Sequence, residues 1–297
     1  FVPSSNDLAH ITLKEFIPIF IKDKPLLSDS SKYSFNRIPI FFDDLGNKML
    51  AKITTADISR AVTKNNHYAD HTISQQLALL HAVFSHAINV YGFTMNNPVS
   101  NVPRRKRIKS SRIKSVSQAD FERLLASDVS PKHENYKICV QLAYYTGMRF
   151  GEMAGLSWDD VSFSTGIISV KRQLKVCRID GKVQHRIGAL KTNNSYRDIP
   201  MPGILIRVLS DWKPNTVPTS VLGFRTAESY PLNYWIKKTL PNTSIHDFRH
   251  TYATNLLANG VDVKTVAALC GDTVTTIINT YIDFTEEMRK KASRDVD

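Results

Sequence analysis

The sequence predicts two domains: an all-α unit over residues 1–100, and a mixed α/β, mainly helical unit with a small three-stranded antiparallel sheet over 116–297. Three observations predict it. Apolar residues recur at helical spacing through the first hundred positions. An acid-free stretch with seven basic residues interrupts the chain at 101–115. Around 166–200 the period changes from helical to alternating. With 297 residues and 42% hydrophobic content the chain can bury two cores. Lys and Arg outnumber Asp and Glu by 39 to 27, a net charge of +12 that favours a polyanionic partner. Cys139, Cys177 and Cys270 lie far apart without C-x-x-C pairing, which argues against a disulfide framework or a cysteine zinc site and fits a reducing cytosol. No apolar run reaches the roughly 18–20 residues that span a bilayer, and the start carries no signal-peptide pattern, so no membrane partner is expected.

In the first unit, Leu13, Phe16, Ile17 and Phe20 form one apolar stripe, and Ile38, Phe41, Phe42 and Leu45 form another, closed by Gly46. Ile73, Leu77, Leu80, Phe84, Ala87, Ile88 and Tyr91 line one side of a long helix that Asn96-Asn97-Pro98 ends. By themselves these stripes indicate a helical bundle. Its outward faces carry Lys48, Lys52, Arg60, Lys64, His67 and His71, an ordinary solvated surface or one that meets phosphates. The basic block holds Arg104, Arg105, Lys106, Arg107, Lys109, Arg112 and Lys114; like charges this dense repel, so an extended linker is expected there. Ser117 caps a helix through Phe121, Leu124 and Leu125, and a second runs from about Glu134 to Thr146, where Gly147 stops it. A strand from Gly166 to Val176 turns at Asp180-Gly181 and returns over Val183 to Leu190; Tyr196 to Pro200 adds the third. Helices follow at about 202–212 and 230–239. From Ser244 or Asp247 a helix runs to Gly260, a short one covers about Val263 to Leu269, and a third carries Ile277, Ile278 and Tyr281.

Three motifs carry chemistry. Thr146-Gly147-Met148-Arg149-Phe150-Gly151-Glu152, continuing to Leu156, Trp158 and Asp160, sets an arginine after a glycine turn at a helix start. Lys191-Thr192-Asn193-Asn194-Ser195-Tyr196-Arg197-Asp198-Ile199-Pro200 follows the predicted hairpin. His246-Asp247-Phe248-Arg249-His250 opens a helix, and Tyr281 stands about thirty residues beyond. Taken singly, each group has a bland reading: a structural arginine, an idle surface lysine, a half-buried core tyrosine. Together they resemble the arginine box, hairpin lysine motif and C-terminal motif of the tyrosine recombinases, the phage-integrase family. The similarity covers about residues 8–290, strongest in the second half.

The chemistry suits that family. Guanidinium groups offer paired donors to the non-bridging oxygens of a phosphodiester and keep their charge, and Arg149 and Arg249 are the two available. Donors placed before the reaction stabilise the charge that grows as phosphorus becomes five-coordinate. The resemblance implies that Tyr281 is the nucleophile, forming a 3′-phosphotyrosyl ester that stores the bond energy for rejoining. A phenol with an ordinary pKa near 10 needs a base or a positive field, which His250, with His246 in support, can supply. The resemblance also implies that Lys191 is the general acid for the 5′ oxygen and that Glu152 orients active-site groups. One position departs from the family pattern. Nine residues before the tyrosine, where His or Trp usually stands, the chain has Asp272, which as an anion neither donates to phosphate nor attracts it. Displacement from the site, protonation and a tolerant family member are all open at this point.

The resemblance therefore implies an all-α core-binding domain, a basic linker that follows the DNA backbone, and a catalytic domain. It further implies a homotetramer on double-stranded DNA at attachment or transposon-end sites, with accessory DNA-bending or directionality proteins and no metal or cofactor. The setting it implies is the bacterial cytosol, nucleoid-associated. Because the chain begins at Phe1 rather than Met, an integrase of a phage or conjugative transposon with its arm-binding segment removed is expected. The residues after Tyr281, including Phe284 and Met288, are short enough to dock on a neighbouring subunit. The alternatives are a helix-turn-helix regulator without catalysis, a type IB topoisomerase-like enzyme and a metal nuclease using His246 and His250.

Overall fold

The computed structural model describes residues 10–103, 115–179, 182–190, 192–213, 219–226 and 229–280. The chain divides into two compact units, Phe1–Ser110 and Ser111–Asp297. The seven basic residues of the predicted linker, Lys191, Tyr281 and the tail after it lie outside the described residues.

The described elements of the first unit are helical. α1 (Leu13–Lys22) begins at a reciprocal cap, Thr12 N–H donating to Glu15 and Glu15 N–H to Thr12 Oγ1, and buries the predicted stripe of Leu13, Phe16, Ile17 and Phe20. α2 (Asp29–Asn36), α3 (Ile38–Phe41), α4 (Asp43–Gly46), α5 (Thr55–Lys64) and α6 (Asp70–Tyr91) follow. The second stripe folds as two short helices because Phe42, at φ −108° and ψ 65°, leaves the helical region while its ring stays fully buried. α6 buries Ile73, Leu77, Leu80, Phe84 and Ala87 against this core. Lys48 and Arg60, expected on solvated faces, both donate to the buried carboxylate of Asp57, at 2.5 and 2.6 Å.

The second unit packs helices around small antiparallel sheets. α7 (Gln118–Ala126) is capped by Ser117, whose Oγ accepts from Asp120 N–H. α8 (Asn135–Thr146) and α9 (Phe150–Ala154) are separated by Gly147 in the left-handed region at φ 62°. β1 (Val161–Ser162), β2 (Ile167–Val170), β3 (Gln173–Ile179), β4 (Lys182–Gly188) and β5 (Arg197–Pro200) come next. Then follow α10 (Gly203–Trp212), α11 (Tyr230–Thr239), α12 (Ile245–Ala258), α13 (Val263–Cys270) and a last helix, α14, over 274–280.

A three-stranded antiparallel sheet is present, but its membership differs from the expectation. Its order is β1-β2-β5, with Ile168 opposite Val161 on one side and Ile199 on the other, and β3-β4 forms a separate two-stranded sheet. The strand expected from Gly166 to Val176 breaks at Lys171-Arg172, where Arg172 Nη2 turns back to Asp160 Oδ1 at 3.0 Å. The return strand also ends earlier, at Gly188 rather than Leu190.

α12 packs on α8, α9 on β3, and α13 on both α12 and β5. Phe248, fully buried, anchors α12 in the core, and the buried Thr251 Oγ1 accepts from Val116 N–H at 2.8 Å. These contacts carry the first arginine box, the end of β5, the second arginine box and the Cys270-Gly271-Asp272 turn to one place.

Candidate active site

Four turns or helix ends build the site. Gly147 closes α8, with its N–H on Ala143 O at 3.0 Å, and leaves Arg149 as the residue that enters α9. A Cβ on Gly147 would lie 2.4 Å from Tyr252 Cδ1, so both conformation and space exclude larger residues. Glu152 reaches back to Arg149, accepting its backbone N–H and its Nη1, each at 2.9 Å. At the opening of α12, Asp247 and Ser244 cap one another, which fixes the start of the helix that carries His246, Arg249 and His250. α13 ends at Gly271, φ 62°, and Asp272 N–H donates to Ala267 O at 2.9 Å. Thr273 caps α14, its Oγ1 accepting from Thr276 N–H at 3.1 Å.

The arginines meet at Asp272. Arg149 Nη2 donates to Asp272 Oδ1 at 2.5 Å and to Gly271 O at 2.9 Å. Arg249 Nη2 donates to the other oxygen, Oδ2, and its Nη1 to Gly147 O at 2.6 Å. One carboxylate thus bridges two guanidiniums, one from the start of α9 and one from α12. Asp272 has not moved out of the site, which corrects that possibility; it stands between the two arginines. A third arginine supports them from below. Arg197 Nη2 donates to Glu152 Oε2 at 2.8 Å, its Nε to Leu269 O at 2.7 Å and its Nη1 to Ser195 O at 2.9 Å. Arg197, Arg249 and Glu152 are almost fully buried, while Arg149 is a third exposed.

Three guanidiniums against two carboxylates leave the cluster one positive charge in excess. Burial works against ionisation of Glu152, yet the hydrogen bond and charge of Arg197, followed by Arg149, hold its carboxyl below the usual range. The His246 and His250 rings meet edge to face at 4.7 Å. Both are pushed below the usual imidazole pKa, first by burial; for His246 the charges of His250 and Arg249 add to it. Burial likewise raises Cys270 above the usual thiol range.

A cleft of about 380 Å³ opens over the arginine cluster, lined by Arg149, Glu152, Asp272 and Thr276 among others. Leu190 and Thr192, the chain neighbours of Lys191, both line it. α14 runs to Thr280, the residue before Tyr281. Arg149, Glu152, His246, Arg249, His250 and Asp272 are therefore assembled within the described residues. Arg197 was not singled out from the sequence. It stands within the lysine-motif pattern, but nothing local separates a buried, multiply bonded arginine from one in solvent. Among the described residues no group of three His, Cys, Asp or Glu is placed to hold a metal ion, and no helix is long and apolar enough to cross a membrane.

Residues 114–288 match the model of the phage integrase family. A tyrosine recombinase XerC-like protein of Caldanaerobacter subterraneus subsp. tengcongensis is 28% identical over 302 aligned residues, covering 90% of this chain and 75% of that protein. The fold is similar to that of the Tn1549 transposon integrase in complex with transposon right end DNA, at a TM-score of 0.78 and 19% identity over 95% of this chain and all of the other. It is also similar to a lambda integrase tetramer bound to a Holliday junction, at a TM-score of 0.65 and 17% identity over 90% of this chain and 79% of the other. With more than half its length matched by the family model and the arginines of both boxes meeting at Asp272, the chain belongs to the phage integrase family: it is a tyrosine recombinase, an enzyme that cleaves and rejoins DNA.

Proposed function

We propose that this enzyme is the site-specific recombinase of a mobile element, integrating or excising it through a 3′-phosphotyrosyl ester on Tyr281. The observation that carries the reading is the convergence of Arg149 and Arg249 on the two oxygens of a single anion at the cleft. A phosphodiester offers two non-bridging oxygens to the same paired donors, and their hydrogen bonds strengthen as those oxygens gain charge in the transition state. Glu152 and Arg197 hold Arg149 in place and need not touch DNA.

In this reading the Tyr281 phenol attacks phosphorus, the phosphorus–5′ oxygen bond breaks, and Lys191 protonates the leaving 5′ oxygen. His250, supported by His246, accepts the phenolic proton, and their depressed pKa values keep both neutral and able to do so at pH 7. Tyr252, beside Gly147, is a poor rival nucleophile, because burial pushes its phenol up to about 12. Residues 1–100 serve as the core-binding domain, 101–115 as the basic linker and 116–297 as the catalytic domain. The linker cations contact the backbone of double-stranded DNA and position the enzyme without reading sequence. Four copies act together, because exchange between two duplexes requires four cleaved strands. The tail beyond Tyr281 docks on a neighbouring copy.

The test is exchange between two labelled duplexes carrying the ends of the element, run in EDTA without ATP. Recombinant products that require both duplexes are expected. Relaxation of a single supercoiled circle without exchange would point to a topoisomerase-like enzyme, and loss of cleavage in EDTA to a metal nuclease.

A further inference from the structure

The carboxylate between the arginines has no counterpart in the family pattern, where a hydrogen-bond donor stands at its position. In this chain it lies in the site, each of its oxygens bound to a different guanidinium. We propose that Asp272 occupies the seat of the scissile phosphate as an internal anion, and that a DNA phosphate enters by exchanging with it. The proposal rests on the reading of Arg149 and Arg249 as phosphate ligands.

Three features support exchange over a fixed brace. Carboxylate and phosphodiester are both monoanions with two acceptor oxygens, so each presents the same two acceptors to the paired guanidiniums. The backbone of Asp272 is fixed independently of its side chain, through its N–H on Ala267 O, so a side-chain rotation can vacate the seat without disturbing α13. The Asp272 side chain is also a quarter exposed and lines the cleft, so it has somewhere to go, whereas Arg249 is buried and stays.

The consequence is selectivity in how the site is filled. A free anion meets an intramolecular competitor held at high effective concentration and loses to it. A backbone phosphate delivered by a duplex already gripped elsewhere on the protein competes on equal terms, because its own approach is then effectively intramolecular. Asp272 thereby keeps Arg149 and Arg249 paired before DNA arrives and shuts out solution anions.

The probe is inorganic phosphate, titrated calorimetrically into the full chain and into Asp272→Asn, with Asp272→His as the second variant should the first fold poorly. Asp272→Asn is expected to bind phosphate roughly tenfold more tightly than the wild type, and adding Arg249→Ala to it should abolish the gain. Phosphate binding that is unchanged or weaker in both folded variants overturns the proposal, since a carboxylate that only braces the arginines would loosen them when removed. Covalent adduct formation on a nicked duplex separates the two levels. If Arg249→Ala still forms adduct at the wild-type rate, the phosphate-seat reading itself is wrong and the proposal falls with it.

Discussion

Arg197 and Glu152 form a nearly solvent-free ion pair, Nη2 to Oε2 at 2.8 Å, and the other oxygen of that carboxylate holds Arg149 Nη1 at 2.9 Å. Arg197 also binds the carbonyl of Leu269 near the end of α13, so one buried guanidinium links β5, α9 and the turn that presents Asp272. The exposed arginine of the site therefore depends on a buried one that never reaches the cleft.

Removing Arg197 leaves Glu152 buried with only Arg149 as charge partner. Arg197→Ala is expected to lower stability by about 3–5 kcal/mol, as for a broken buried pair, measured by urea unfolding at pH 7. A loss near 1 kcal/mol would be that of a surface pair and would contradict the arrangement. Because the folded state lowers the pKa of Glu152, its contribution is complete above the ordinary carboxylate range. It is lost as pH falls below about 4.3 toward the folded value, so the variant and wild-type stabilities should converge in acid.

Gly271 combines a left-handed backbone with close packing. At φ 62° a Cβ would lie 2.8 Å from Arg197 Nη1 and 3.2 Å from Asn194 O. Gly271→Ala should therefore cost about 1–2 kcal/mol from the backbone alone, with further loss from displacing Arg197. Thermal unfolding and adduct formation should both suffer; a variant with unchanged melting and rate would show that the turn tolerates a side chain.

His246 and His250 are both held below the ordinary imidazole pKa of about 6.5 by burial and neighbouring charge. Their ring protons, followed by NMR as pH is lowered, should titrate below that value. If His250 takes the phenolic proton, the cleavage rate should stay level as pH falls to about 6.5 and decline only below it. A rate already falling between pH 8 and 7 on a histidine-dependent limb would contradict the assignment.

The cations at 104–107 are proposed to meet phosphates rather than bases. Replacing Arg104, Arg105, Lys106 and Arg107 with Ala should weaken binding equally on cognate and unrelated duplexes. It should also reduce the slope of log K against log salt by roughly 3 to 4, at about 0.9 per contact. A selective loss on the cognate site would assign these residues to base readout.

The helices were legible in the sequence because their apolar stripes are buried as the spacing implies: Leu13, Phe16, Ile17 and Phe20 in α1, and Ile73, Leu77, Leu80, Phe84 and Ala87 in α6. The sheet was legible only in part. The alternation from Gly166 to Val176 is interrupted in its apolar phase by Arg172, and the partner that holds this arginine, Asp160, is a tertiary contact that no periodicity records. The first arginine box was visible through Gly147 and the Cys270-Gly271-Asp272 turn through Gly271, both at positive φ, and the second box through its paired histidines around Arg249. What Asp272 does was not visible, because its place between Arg149 and Arg249 depends on how α9, α12 and α13 pack. Arg197 stayed hidden for the same reason.

The central claim is that two guanidiniums hold one DNA phosphate for attack by Tyr281. A nicked duplex whose cleaved fragment diffuses away traps the intermediate, and mass spectrometry of the digested adduct identifies the esterified residue. The wild type is predicted to carry the DNA 3′ phosphate on Tyr281, Tyr281→Phe to form no adduct, and Arg149→Ala and Arg249→Ala to form it at least about a hundredfold more slowly. Adduct on another residue, or at undiminished rate without either arginine, contradicts it.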